Sequence, residues 1–259
     1  MKIGIFQLDT AHKNLTDNRA FIEQKLAQSD ADLICAPELF NTGYELDKIR
    51  ERAANAPAIK EWYATLARTF KKTIALGSIA EVHDDHLYNT LSVFGTDGYT
   101  LAQYRKIHLF TLTGEEKYFS QGDTVVTFDV NGFTVGCAIC YDLRFPELFR
   151  ILRLKGADAV IIPANWPKPR VEHWLTLGRV RAMENQMYSI GINRVGTDEE
   201  SLFTGSSFVF SPRGDTLLEI GDTKGYFECE LSKELVASSR TRLDSFRDRQ
   251  PDIYTKEGL

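Results

Sequence analysis

Short aliphatic and β-branched runs alternate along the chain with stretches whose apolar residues recur at helical spacing, and no Gly/Ser-rich or Pro-rich linker divides them. The runs predict strands at Lys2–Leu8, Asp32–Ala36, Thr73–Ala80, Leu87–Phe94, Phe133–Cys140, Asp158–Ala164, Tyr188–Val195 and Ser206–Ser211, with weaker ones near Leu217 and Tyr226. Several are apolar on both faces, as in a sheet covered on both sides. The helical spacing predicts helices at Asn14–Ala27, Ala58–Lys72, Pro146–Lys155 and Glu172–Met187. Their core-facing stripes include Phe21, Ile22 and Leu26 in the first, and Trp174, Leu177, Val180 and Met183 in the last. Hairpin turns are expected at Thr96-Asp97-Gly98, Val130-Asn131-Gly132 and Pro212-Arg213-Gly214. Hairpins mixed with crossover helices imply mixed sheets. The strand count favours two sheets sandwiched between helices over a closed parallel barrel, in a single domain spanning residues 1–259.

Composition narrows this picture. With 259 residues, 43% hydrophobic and 26% charged, the chain suits one large core and excludes a disordered or collagen-like polymer. Lys and Arg number 31 against 36 Asp and Glu, a net charge of -5, so no global positive field recruits nucleic acid or a membrane surface. The N-terminal apolar run is too short for a membrane span and lacks a small-residue cleavage signal, which places the expectation in the cytoplasm. The four cysteines, Cys35, Cys137, Cys140 and Cys229, are too few for a disulfide framework in a chain this long, leaving thiol chemistry or burial.

Cys140 stands where an apolar strand meets a helix opening at Pro146, in the run Gly136-Cys-Ala-Ile-Cys140-Tyr-Asp-Leu-Arg-Phe-Pro146. Such a bend presents a thiol beyond the sheet edge, beside backbone N–H groups able to stabilise an anion; the alternative is an inert buried cysteine. Cys137 and Cys140 also spell C-x-x-C. On a strand they would point to opposite faces roughly 10 Å apart, beyond disulfide reach, and no second pair or histidine spacing supports a metal. A thiol nucleophile needs a base, and a Cys-His pair would have to use His108 or His173, neither of which sits beside an obvious orienting carboxylate or amide. Glu38 closes the apolar run Leu33-Ile-Cys-Ala-Pro-Glu38 and is expected to be partly desolvated, as a group that takes and gives protons should be. Lys106, in Tyr104-Arg-Lys-Ile-His-Leu-Phe110, is either an oxyanion-stabilising cation or part of a surface basic cluster.

Together these segments resemble the nitrilase superfamily of carbon–nitrogen hydrolases. Pro37-Glu38, the Tyr104-to-Phe110 segment and Ile139-Cys-Tyr-Asp-Leu-Arg-Phe-Pro-Glu147 match its motifs in order, followed by Ala164-Asn-Trp-Pro167 and Arg181-Ala-Met-Glu-Asn-Gln186. The resemblance covers nearly the whole chain and is greatest to the omega-amidase branch. It implies a four-layer αββα sandwich of two mixed sheets flanked by helices, no cofactor or metal, a homodimer, and a tail over residues 240–259 at the subunit contact. It also implies a Glu38–Lys106–Cys140 triad acting through a thioester, with a second glutamate at Glu115 or Glu116, Glu115 being favoured by its distance from Gly122.

Tyr141 would contribute its backbone N–H to the oxyanion, Asn165 and Trp166 would shape the substrate pocket, and Arg144 or Arg170 would grip a substrate carboxylate. Arg144 has a structural alternative as an ion-pair partner of Asp142 or Glu147. The expected substrate is a small dicarboxylate monoamide such as 2-oxoglutaramate or 2-oxosuccinamate. An N-carbamoyl amino acid, another small amide or a nitrile is the second reading, and a non-catalytic binding module the third.

Overall fold

Runs that are apolar on both faces need cover on both faces, and the chain supplies it by stacking two sheets and flanking each with helices. The computed structural model describes residues 1–198 and 201–258. Its strands are β1 (Lys2–Gln7), β2 (Leu33–Cys35), β3 (Thr73–Ala75), β4 (Ser78–His83), β5 (His86–Phe94), β6 (Thr100–Arg105), β7 (Thr127–Val130), β8 (Phe133–Cys137), β9 (Ala159–Ala164), β10 (Tyr188–Asn193), β11 (Val195–Thr197), β12 (Leu202–Thr204), β13 (Phe208–Phe210), β14 (Thr216–Glu219) and β15 (Gly225–Glu230). The helices are α1 (Leu15–Leu26), α2 (Ile49–Arg52), α3 (Ala56–Phe70), α4 (Pro146–Leu154), α5 (Val171–Asn185), α6 (Lys233–Arg242) and α7 (Pro251–Lys256).

One sheet runs β15-β1-β2-β3-β5-β4 with β6 on β5, the other β14-β13-β10-β9-β8-β7, and β11 pairs with β12 in a separate ribbon. Each sheet is mixed: β1, β2 and β3 are parallel in the first, β8, β9 and β10 in the second, with antiparallel hairpins at the edges. Side-chain alternation then sorts the layers. Ile3, Ile5 and Leu33 meet Val135, Ile161 and Ile190 between the sheets. On the outer face of the first sheet, Phe6, Ile34 and Ile74 meet Ile22, Leu26 and Ile59 of α1 and α3. On that of the second, Val160 and Ile162 meet Leu148, Phe149 and Trp174 of α4 and α5. The expected αββα sandwich is present, and the three expected turns each join an antiparallel pair, β5–β6, β7–β8 and β13–β14, although β6 and β7 were not among the expected strands.

Several boundaries differ. The run expected as one strand at Thr73–Ala80 is broken at Gly77, whose φ of 66° turns the chain between β3 and β4. The strand expected to reach Cys140 leaves the ladder at Cys137, and Cys140 opens a 3-10 turn instead. β6 was missed because Leu101 is exposed beside inward-facing Ala102 and Tyr104, which blurs the period of two. α2, α6 and the β11–β12 ribbon carry too little apolar patterning to be read. The stripe assigned to α5 is also corrected: Val180 and Met183 are exposed, and the buried face runs Trp174, Gly178, Arg181, Ala182 and Asn185. Gly178 lets α5 approach Phe208, and the Arg181 Nε donates to Leu143 O, so a glycine and an arginine occupy inward positions that a hydrophobicity pattern assigns outward. In the 240–259 tail, Arg240 bonds Asp158 and the Ala157 carbonyl, α7 is exposed, and residue 259 lies outside the described residues. Among the described residues no helix is long and apolar enough to cross a membrane.

Candidate active site

The chain leaves β2, β6, β8 and β9 at the same end of the sandwich, and the segments that follow carry Glu38, Lys106, Cys140 and Asn165. The turn bearing Glu38 is braced from β3 and β4. Leu39 N–H donates to Ser78 Oγ at 3.0 Å, and Leu39 itself holds φ at 51°. A Cβ on Gly77 would fall 1.8 Å from the Pro37 carbonyl oxygen, so only glycine permits this approach. Cys140 likewise has φ at 45°, a left-handed conformation that a residue with a Cβ holds only when its surroundings impose it.

Lys106 is buried between two carboxylates. Its Nζ donates to Glu38 Oε1 at 3.0 Å and to Glu115 Oε1 and Oε2 at 3.0 and 2.9 Å. Burial works against the ammonium, but Glu115 and then Glu38 outweigh it and hold the Lys106 pKa well above its ordinary value. Glu38 accepts four donors: Asn89 Nδ2 at 2.8 Å and Lys106 on Oε1, and the Asn165 N–H at 2.9 Å and Asn165 Nδ2 at 3.3 Å on Oε2. Glu115 is fully buried and also accepts the Phe110 N–H at 2.6 Å, whereas Glu116 is exposed. Burial, followed by the Glu38 charge, pushes the Cys140 thiol well above its ordinary range; Lys106 and the Asn165 backbone N–H act in the opposite direction. Two carboxylates against one ammonium leave this pocket short of positive charge, so Cys140 rests as a thiol beside a group able to take its proton.

A cavity of about 950 Å³ opens over this cluster, with Lys106 and Cys140 among its lining residues. Tyr141, Arg144, Asn165, Trp166 and Arg170 also line it, so the structure brings together every site residue expected from sequence. Asn165 lines the cavity with its amide already engaged, donating to the Glu38 backbone and side chain. The structural alternative for Arg144 does not hold: Asp142 bonds Tyr104 and His108 instead, and the Arg144 guanidinium lies 5.0 Å over the Trp166 ring and donates to His173 Nδ1. Arg170 lies over Phe110, and neither arginine forms an ion pair among the described residues.

Two residues escaped the sequence reading. Asn89 donates to both glutamates, and its signal was a lone amide at a buried position of β5. Asp142, which the sequence offered only as an ion-pair partner of Arg144, is fully buried behind the nucleophile, and its signal was a carboxylate between Tyr141 and Leu143.

A model of the carbon–nitrogen hydrolase family matches residues 2–241. The chain belongs to this family. The carbon–nitrogen hydrolase is 33% identical to the 2-oxoglutaramate amidase of Bacillus subtilis over 97% of this chain and 98% of that protein. It is also 33% identical to the human omega-amidase NIT2, over 94% and 92% of the two chains. Among solved structures, Saccharomyces cerevisiae Nit3, a nitrilase-superfamily member, superposes with a TM-score of 0.86 at 31% identity over 94% of each chain. The family match contains every element that carries Glu38, Lys106, Glu115 and Cys140, and it ends before α7.

Proposed function

We propose that this hydrolase cleaves the terminal amide of a short dicarboxylate monoamide, of which 2-oxoglutaramate is the first to test, giving the dicarboxylate and ammonia. Glu38 takes the Cys140 proton and the thiolate attacks the amide carbon. Lys106, which lines the cavity beside Cys140, holds the developing oxyanion together with the Tyr141 backbone N–H, and Glu38 returns the proton to the departing ammonia. A water deprotonated by Glu38 then hydrolyses the thioester. Glu115 keeps the ammonium in place, and Asn165 holds Glu38.

One observation supports a second carboxylate on the substrate: Arg144 and Arg170, both half-buried and lacking an anionic partner among the described residues, face the cavity that holds Cys140. The amidases named above, similar along almost their full length, support the same reading. Purified protein incubated with 2-oxoglutaramate and 2-oxosuccinamate should release ammonia, and a Cys140→Ala control should not. Carbon dioxide together with ammonia from an N-carbamoyl amino acid, with no release from the monoamides, would give the site to the carbamoyl reading. Neither turnover nor an acyl adduct on Cys140 in the mass spectrum would leave a binding module.

The same reading makes the enzyme a cytoplasmic homodimer. Exposed Ile151 and Leu154 on α4 and Val180 and Met183 on α5 form an apolar outer face suited to a second copy, and the free thiols Cys35 and Cys137 suit a reducing compartment. Light scattering on the eluting protein should give twice the mass of one chain; a monomer would reject the dimer.

A further inference from the structure

We propose that Asp142 is a positioning residue that sets the placement of the Lys106 ammonium relative to the Cys140 thiol. The proposal rests on the reading that these two groups carry the reaction, and it concerns what holds them in register.

Lys106 follows a strand of one sheet and Cys140 a strand of the other, so no ladder of backbone hydrogen bonds connects them. Apolar packing between sheets is strong but non-directional and does not by itself define a spacing to a fraction of an ångström. Asp142 supplies a directional link directly between these two segments, beside the indirect one that runs from Asn165 through Glu38 to Lys106. Its Oδ2 accepts the Ile139 N–H at 2.8 Å, from the residue before the nucleophile, and the Tyr104 hydroxyl at 2.7 Å, from two residues before Lys106. Its Oδ1 accepts the His108 N–H at 3.0 Å, from two residues after Lys106, and faces His108 Nδ1 at 2.7 Å. One carboxylate thus ties both flanks of Lys106 to the bend that presents Cys140.

Each oxygen has two donors, and the group is fully buried with no Lys or Arg paired to it among the described residues. A buried carboxylate without a permanent cation costs free energy unless its lone pairs are filled. Here all four are filled from the two segments whose relation matters. The left-handed backbone at Cys140 needs an outside restraint, and the bond to Ile139 is next to it. His108 is also stacked on Phe145, with centroids 3.6 Å apart, so packing is the rival explanation for that side chain.

Asp142→Asn is the direct test, because an amide nitrogen at either oxygen position would face two donors. Misplacement by about 1 Å can cost about 100-fold, so kcat for the monoamide should fall about that far with KM nearly unchanged. Iodoacetamide should alkylate Cys140 more slowly than in the wild type, with its pH profile moved upward as the Lys106 charge shifts from the thiol. Tyr104→Phe removes one donor of four and should give a smaller change of the same kind. His108→Ala should lose activity, while His108→Asn, which offers an amide N–H near the Nδ1 position but no ring to stack, should restore much of it.

A folded Asp142→Asn protein with a wild-type alkylation profile, or with its loss confined to KM, overturns the proposal, as does equal activity of His108→Ala and His108→Asn. If Asp142→Asn does not fold, the Tyr104 and His108 variants decide by the same readouts. If the wild type hydrolyses no amide, the functional reading fails alone, since alkylation needs no substrate and still tests the placement.

Discussion

Glutamine at position 115 keeps the shape of the side chain and removes its charge, and the hydrogen bonds make this a harsh exchange. Glu115 Oε1 accepts Lys106 and, at 3.4 Å, Asn89; Oε2 accepts Lys106 and the Phe110 N–H. Whichever way the new amide turns, its NH2 group faces the Lys106 ammonium and a second donor. One charge-assisted bond is lost, worth about 1.5–3 kcal/mol, and breaking a buried ion pair outright costs about 3–5 kcal/mol, so Glu115→Gln should lose about 2–4 kcal/mol of stability. The ammonium then has Glu38 as its remaining carboxylate and moves toward it, away from the substrate oxygen. Loss of one oxyanion donor costs about 10²–10³ in turnover, and a displaced Lys106 should cost a similar amount in kcat with little effect on KM. Coupled detection of ammonia from 2-oxoglutaramate, with the thermal midpoint measured on the same samples, reads both quantities. Exposed Glu116 provides the comparison, since Glu116→Gln should stay within about twofold of the wild type. A stable Glu115→Gln enzyme within about threefold of wild-type kcat would refute the reasoning, because the buried pair would then do nothing for Lys106 that a neutral amide cannot.

Three other outcomes follow from the same structure. Because burial and Glu38 raise the Cys140 pKa above its ordinary 9.0, alkylation of the resting enzyme should still be climbing with pH at 9.0, and a plateau near neutrality would contradict this. Glu45 is held at about 2, against an ordinary 4.5, first by its bonds to Arg52 and then by Lys48. Its contribution is therefore complete above about pH 4.5 and disappears as pH falls toward 2, so the stability gap between wild type and Glu45→Gln should close over that interval. That gap should be below about 1 kcal/mol, because the Glu45 side chain is 36% exposed and screened. Gly178→Ala would place a Cβ 2.2 Å from the Phe208 ring, which is already held between Trp174 and Phe210. Overpacking of this kind costs about 1–3 kcal/mol, offset by up to about 1 kcal/mol of helix propensity, and should lower the thermal midpoint by a few degrees.

Much of this molecule was legible from its sequence because the determinants are local. Strands apolar on both faces required cover on both sides, the Asn131-Gly132 and Asp97-Gly98 turns joined the strands they flank, and Pro146 opened α4 where its ring is tolerated. Glu38 and Cys140 stood out at the ends of apolar runs, Lys106 was open between an oxyanion cation and a surface basic cluster, and the order of the motifs that resemble the nitrilase superfamily joined the three. Tertiary structure decided what depends on residues distant in the chain. Glu115 and Glu116 are adjacent and chemically identical, and only the position of Lys106 separates a buried partner from an exposed one. The ion-pair alternative for Arg144 fell once Asp142 was found committed to Tyr104 and His108, and Asn165 turned its amide to Glu38, a residue 127 positions away. The α5 stripe was misread for the same reason: which face is buried depended on Phe208 needing a glycine opposite it and on the Leu143 carbonyl accepting Arg181. Hydrophobic periodicity reports how much surface an element must hide, while the identity of the surface it hides against, and so each polar partner, exists only once the two sheets have packed.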